Sequence, residues 1–257
     1  MKNKVLLSFD IEEFDLPREH GAEISVEEGC KVSAEGLRKI LRLLKKCNKK
    51  ATFFVTGNFA QCQPELVKKI VTEGHEVACH GVDHFKPRAT DVAESKKIVE
   101  GIAGVKVVGY RQPRMFKIDY DELKKSGYGY DSSVNPALIP GRYNHMGEPR
   151  KPYKRKGIIE VPVSVAGKLR VPLFWLALHL FPVKLYKKLA RKSLKETGYF
   201  ATYFHPWEFA DLAKYKIPKY IKRNSGDVLI KRLEAVINEV NDCDFVTFKE
   251  FVKGIYK

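Results

Sequence analysis

The sequence predicts an α/β protein built as a single distorted (β/α) barrel, and three observations carry that expectation. Apolar, strand-like runs alternate with helical patterns through the first half, which implies a parallel sheet with helices packed outside it. A length of 257 residues accommodates enough strand–helix units for one large domain. Polar residues capable of chemistry fall directly after the apolar runs, where barrels carry their functional side chains.

The elements follow in order. Residues 4–9 are an apolar strand that stops at Asp10, and residues 33–46 an amphipathic helix with Leu37, Ile40, Leu41 and Leu44 on one face. Residues 51–55 are rich in β-formers, 64–73 read as a helix with Pro64 at its start, and 76–79 form a third strand. A helix over 91–100, a strand over 105–110 and a helix over 119–125 continue the alternation. Residues 135–157 break it with a Gly, Pro and basic loop, too long for a neutral connection, which therefore shapes a site or stays mobile. Regular structure resumes over 158–165, 198–204, a helix over 225–240, and a strand and helix within 244–251. The expected organisation is one catalytic domain over 1–257 with a basic loop insertion over 135–197.

Composition narrows the class. Apolar residues make up 44% and charged residues 30% of the chain, which excludes a disordered or disulfide-scaffold protein. Cys30, Cys47, Cys62, Cys79 and Cys243 are scattered, with no C-x-x-C pair, so free thiols in a reducing compartment are expected. The first residues meet Asp10 too soon for a signal-peptide core, and a cytoplasmic location is the expectation. A net charge of +16, concentrated over 150–156, 184–195 and 214–223, attracts anions or simply solvates a face. No nucleotide-binding G-x-x-x-x-G-K-[ST] or G-x-G-x-x-G and no G-x-S-x-G serine motif is present. Nucleic-acid-binding signatures are missing as well.

Three stretches carry chemistry. Asp10, Glu12 and Glu13 crowd the end of the first strand, where carboxylates repel one another unless a cation or an arginine neutralises them. His80 and His84 follow the third strand at a spacing that, on a helical turn, lets both imidazoles reach one ion. His205 ends the strand at 198–204. One carboxylate with two imidazoles leaves open positions on an ion, as in catalytic rather than structural sites. A further carboxylate and a third histidine supply a proton acceptor and a proton donor.

With these motifs the sequence resembles the NodB-homology polysaccharide deacetylases, carbohydrate esterase family 4, across nearly its whole length, and most closely the exopolysaccharide and cell-envelope branch. Asp10, His80 with His84, Arg111-Gln112-Pro113, Asp131 and His205 match the family motifs in order, and Ala51-Thr52-Phe53-Phe54-Val55 resembles its second strand. The resemblance implies a seven-stranded barrel and a divalent ion, zinc first, with cobalt, manganese or nickel as alternatives. It implies Glu12, His80 and His84 as ligands, Asp10 as base oriented by Arg111, and His205 as acid supported by Asp131. Pro113, Arg114, Trp207 and Glu208 are implied on the substrate side, with a backbone N–H near Arg114 facing the oxyanion. The family's usual second aspartate is replaced by Ile11; residues 10 and 12 share a strand face, so Glu12 is favoured over Glu13 as the ligand.

The implied reaction removes an N-acyl group, N-acetyl first, from an amino sugar of an envelope or exopolysaccharide precursor. Residues 171–181 are very apolar but too short to span a bilayer, and read either as core or as a wedge beside the basic stretch 184–192. The second reading places the protein on an anionic inner membrane face, acting on a lipid-linked sugar. Rival readings are an allantoinase-like hydrolase of cyclic imides or ureides, and an inactive carbohydrate-binding barrel.

Overall fold

The structure is a computed structural model and describes residues 2–255. Nine strands form the main sheet: β1 (Lys4–Ile11), β2 (Thr52–Val55), β3 (Glu76–Cys79), β4 (Gly109–Tyr110), β5 (Tyr130–Asp131), β6 (Tyr153–Arg155), β7 (Ile158–Glu160), β8 (Tyr199–Phe204) and β9 (Asp244–Phe245). Seven run parallel in the row β8-β1-β2-β3-β4-β5-β7, matching the expected barrel. β6 adds antiparallel to β7, and β9 pairs with the start of β1.

The row curls, and a short bridge spans the gap between its ends. Ser164, just past β7, donates its N–H to Ala201 O at 2.9 Å and accepts the Ala201 N–H on its hydroxyl at 2.9 Å. Nearly every side chain of β1 and β8 is buried, as in parallel strands covered on both faces. Phe9, Phe53, Phe204 and Phe209 pack together in the layer beneath the helices, Phe9 and Phe53 stacking at 5.2 Å.

The helices α1 (Val26–Cys47), α2 (Pro64–Thr72), α3 (Asp91–Ala103), α4 (Tyr120–Lys125), α5 (Trp175–Leu180), α6 (Val183–Thr197) and α7 (Asp227–Glu239) accompany the sheet. α1 begins earlier than its apolar stripe predicts, because Ser25 caps it by accepting the Glu28 N–H. Gly29 and Gly36 in this helix both lie against neighbouring backbone. A Cβ on Gly36 would lie 1.7 Å from Pro206 O. Only glycine lets α1 approach the turn that follows β8, and that turn begins with His205.

Two stretches differ from expectation. The strand over 105–110 shrinks to β4, because the Val107 N–H is taken by Glu100 Oε1 at 2.8 Å rather than by a neighbouring strand. Residues 171–181 split into a short strand, Val171–Pro172, and α5, with Leu173 and Leu178 fully buried. The long loop holds a hairpin of Leu138–Ile139 with Tyr143–Asn144, tied down by Arg170 Nη1 donating to Pro136 O at 3.2 Å and Glu148 O at 2.7 Å.

Candidate metal centre and acid–base site

The strand ends of the parallel row converge on a pocket of about 360 Å³ lined by Asp10, Glu12, His80, His84, Trp175, His205 and Trp207, among others. Glu12 leaves the end of β1. His80 and His84 lie in the loop after β3, not on a helical turn as the spacing suggested. Gly81 takes a φ of +69° there, a left-handed conformation that suits glycine, and it swings both imidazoles to one side.

The three groups offer ligand atoms within 4.8 Å of one another, the one such cluster among the described residues. Glu12 Oε2 lies 3.0 Å from His84 Nε2 and 3.5 Å from His80 Nε2. Each ring is fixed from behind. His80 Nδ1 donates to Arg111 O at 2.9 Å, and His84 Nδ1 donates to Asp15 Oδ2 at 2.8 Å. Such outer partners set the tautomer, leaving each Nε2 lone pair for an ion.

Glu12 Oε2 is buried and, for all its closeness to the two imidazoles, accepts no well-aligned hydrogen bond among the described residues, an expensive arrangement unless a cation completes it. Glu12 Oε1 is held by the Trp207 Nε1–H at 3.0 Å. Burial by itself pushes the Glu12 carboxyl up, yet His84, His205 and His80 together hold it well below the usual range. Burial likewise opposes charge on His84, but Glu12 and Asp15 outweigh it and raise its pKa to about 9. Positive charge is thus favoured beside Glu12, and a divalent cation taking the place of the His84 proton would satisfy Glu12 Oε2 and both Nε2 atoms together, so the residues fit such an ion. Glu13 does not compete for it: it accepts from Thr56 Oγ1 at 2.9 Å, Asn58 Nδ2 at 3.0 Å and the His84 N–H at 3.0 Å.

Asp10 stands beside this cluster, its Oδ2 4.0 Å from His80 Nε2. Arg111, fully buried, donates to Asp10 Oδ1 at 2.5 Å, to Ser132 O at 2.7 Å and to Ser132 Oγ at 3.0 Å, and lies 4.0 Å over the Phe54 ring. Asp10 and Arg111 are thus joined in a buried ion pair.

His205 closes the opposite wall, its Nε2 4.0 Å from Glu12 Oε1. The expected support from Asp131 is corrected by the geometry. Asp131 accepts from Ser133 Oγ at 2.8 Å and shares a buried site with Glu160, where burial pushes both carboxyls up. His205 Nδ1 instead meets Glu208 Oε1 at 2.9 Å. Burial opposes charge on His205, while Glu12 and Glu208 raise its pKa above the ordinary value.

Of the residues expected on the substrate side, Trp207 and Arg114 line the pocket, whereas Pro113 and Glu208 are buried outside its lining. Glu208 is fully buried and Trp207 nearly so; both brace the site's own side chains, Trp207 stacking on His205 at 5.1 Å. Pro113 is buried too, whereas Arg114 lines the pocket and ties Asp15 and Glu19 across its rim. Arg114 and Met115 both have positive φ, 59° and 54°, a strained turn of the kind found at functional sites. Asp15, Trp175 and His179 were missed in sequence. Asp15 alone had a signal, as a further acid just beyond the first motif.

This geometry can be set beside known proteins. Residues 2–126 match the polysaccharide deacetylase family, and residues 132–253 match a domain of unknown function, DUF3473. The chain carries a polysaccharide deacetylase domain. A peptidoglycan deacetylase of Helicobacter pylori (strain ATCC 700392 / 26695) is 30% identical over 122 residues, 44% of this chain and 42% of that protein. The chain therefore spans less than half the length of that relative. A Mycobacterium smegmatis crystal structure described as a polysaccharide deacetylase superposes with a TM-score of 0.69 at 20% identity, covering 99% of this chain and 90% of that one. An allantoinase reaches 0.65 at 13% identity, covering 97% and 89%. At these identities the likeness is one of fold. In the deacetylase domain lie Asp10, Glu12, His80, His84 and Arg111; His205 and its partners lie in the DUF3473 region.

Proposed function

We propose that the chain is a metal-dependent N-deacetylase of an amino-sugar saccharide, and the orphaned Oε2 of Glu12 between two oriented imidazoles is the observation that carries this reading. Glu12, His80 and His84 would hold a divalent ion, zinc first, which when bound supplies Lewis-acid polarisation of the acyl oxygen and a more acidic water. The rest falls to the chain itself. Asp10, aligned by Arg111, takes a proton from the attacking water as its oxygen bonds the acyl carbon. His205 Nε2 then gives a proton to the departing nitrogen as the C–N bond breaks, yielding a carboxylate and a free amine. Trp207 and Arg114 hold the walls against which the sugar lies.

The test is acetate release from N-acetylglucosamine oligomers and peptidoglycan by zinc-loaded protein, with allantoin as the competing substrate. Acetate release that a chelator abolishes supports the reading; turnover of allantoin alone selects the rival chemistry, and neither activity selects the inactive carbohydrate-binding barrel.

A second reading concerns where the substrate sits. Among the described residues no helix is long and apolar enough to cross a membrane. Leu180 and Tyr220 are 53% and 51% exposed. With Phe181 and Pro182 they form an apolar basin edged by Lys219 and Arg223, and Tyr220 also lines the catalytic pocket. An apolar tip within a basic rim suits an anionic lipid surface, and a lipid-linked sugar presented there would meet the pocket mouth. We propose peripheral binding at the cytoplasmic face. Sedimentation with phosphatidylglycerol vesicles at low salt should carry the protein down, and a Leu180→Glu/Tyr220→Glu variant should stay in solution. Equal sedimentation of both proteins would dismiss this surface.

A further inference from the structure

Among the buried ionisable side chains that the mechanism leaves without a task, one touches its apparatus directly. His179, in α5, has no exposed side-chain surface and sits behind His205 on the side away from the pocket. Its Nε2 lies 2.8 Å from Glu208 Oε2, while Glu208 Oε1 lies 2.9 Å from His205 Nδ1. Glu208 thus bridges two imidazoles, one on each carboxylate oxygen. Its Oε1 also accepts the His205 backbone N–H at 2.5 Å. Trp175 stands edge-on to both rings, at 5.9 Å from His179 and 5.4 Å from His205. Asn224 Nδ2 holds the carbonyl of His179 at 2.6 Å.

We propose that His179 is a positioning residue for the acid, donating from Nε2 to Glu208 so that the carboxylate stays fixed and faces His205 Nδ1. The inference rests on the acid role proposed above for His205. A fully buried carboxylate with only one partnered oxygen would rotate or become protonated. Either change would remove the acceptor that keeps the proton on His205 Nδ1 and turns Nε2 toward the pocket. His179 prevents both by occupying Oε2, much as the orienting carboxylate of a hydrolase triad acts through its histidine rather than on substrate. Among the described residues His179 Nδ1 has no hydrogen-bond partner, so Glu208 is the side-chain group its ring serves.

The test joins kinetics to a measurement that needs no turnover. Long-range proton–nitrogen NMR of the wild-type protein should show protons on Nε2 of His179 and Nδ1 of His205, assigned with single-histidine variants. A His179 protonated only on Nδ1 would overturn the proposal at once. His179→Leu should lower kcat on N-acetylglucosamine oligomers about ten- to a hundredfold, the scale of lost alignment in general acid catalysis, with KM and bound zinc unchanged. It should also expose the His205 Nδ1 proton to rapid solvent exchange. His179→Gln keeps a donor at the Nε2 position and should restore kcat to within a few-fold. A Gln variant as impaired as the Leu variant would make His179 a packing residue only and end the proposal. Should the wild-type protein release no acetate, the deacetylase reading fails, while the tautomer result still decides the geometry claimed for His179.

Discussion

Asp15 is a small residue-scale example of how a site is held from outside. It touches no candidate ion position, yet it fixes His84 Nδ1 at 2.8 Å and receives Arg114 Nη2 at 3.2 Å. Outer partners of this kind contribute about 10–100-fold to metal affinity, so Asp15→Asn is expected to weaken zinc binding by that factor in competition with a chromogenic chelator. His205→Ala is expected to do the reverse, slowing turnover by about 10²–10⁴-fold while zinc titrations overlay those of the wild type. At this scale the sequence was legible where spacing is local. Asp10 with Glu12 on one strand face, and His80 with His84, could be read directly. The partner of His205 could not. Asp131 and Glu208 are both acids near a motif, and only the turn after β8, which folds Glu208 back onto the His205 backbone N–H, separates them. His179 was hidden for a related reason: inside an apolar run it reads as core, and it is core, with one polar edge turned to Glu208.

Among the elements, α1 shows how a helix can be shaped by its neighbour rather than by its own propensity. Alanine at an exposed helix-interior glycine typically stabilises by about 0.5–1 kcal/mol. A Cβ on Gly101, in α3, would meet nothing within 4 Å among the described residues, so Gly101→Ala is expected to gain that amount in chemical denaturation. Gly36→Ala should instead lose about 1–3 kcal/mol, because its methyl group would collide with Pro206 O, and kcat should fall with it since Pro206 follows His205. His75, just before β3, tests the electrostatics of the same layer. Burial, aided by Lys50, lowers its pKa from 6.5 to about 4, and its ring packs on Phe53 at 5.3 Å. The unfolded chain binds the proton more readily between these values, so the stability His75 contributes is complete above pH 6.5 and drains away as pH falls toward 4. His75→Gln should therefore lose about 2 kcal/mol less than the wild type between pH 7.5 and 5, read from denaturant midpoints. Strand and helix order was legible through periodicity. The short strand β5 was not, since two residues carry no period and their pairing is set by the sheet around them, and β4 was read too long for the same reason.

For the whole molecule, the candidate centre couples ligand binding to folding, because the three ligand residues leave strand ends that are far apart in sequence. An ion that binds only the folded protein, at a hundred times its dissociation constant, adds about 2.7 kcal/mol. For a chain of this size that raises Tm by roughly 5–10 °C, and the His84→Ala variant should show none of this rise in a zinc titration followed by scanning calorimetry. The barrel class was legible from alternation alone, whereas the purpose of the large basic charge was not: it is spread over 47 Lys and Arg, several of which pair locally, as Arg191 does with Glu239 and Asp242.

The pairing of β8 against β1 also sets an order of events during synthesis. Until about residue 204 has left the ribosome, one long edge of β1 has no partner and offers its backbone to other chains. The nascent polypeptide thus carries its ligand-bearing strand unprotected for most of its length, and β8, when it docks, shields that edge and brings His205 to the strand ends together. A chain cut before that point is therefore expected to lose solubility, and with it any turnover that depends on His205.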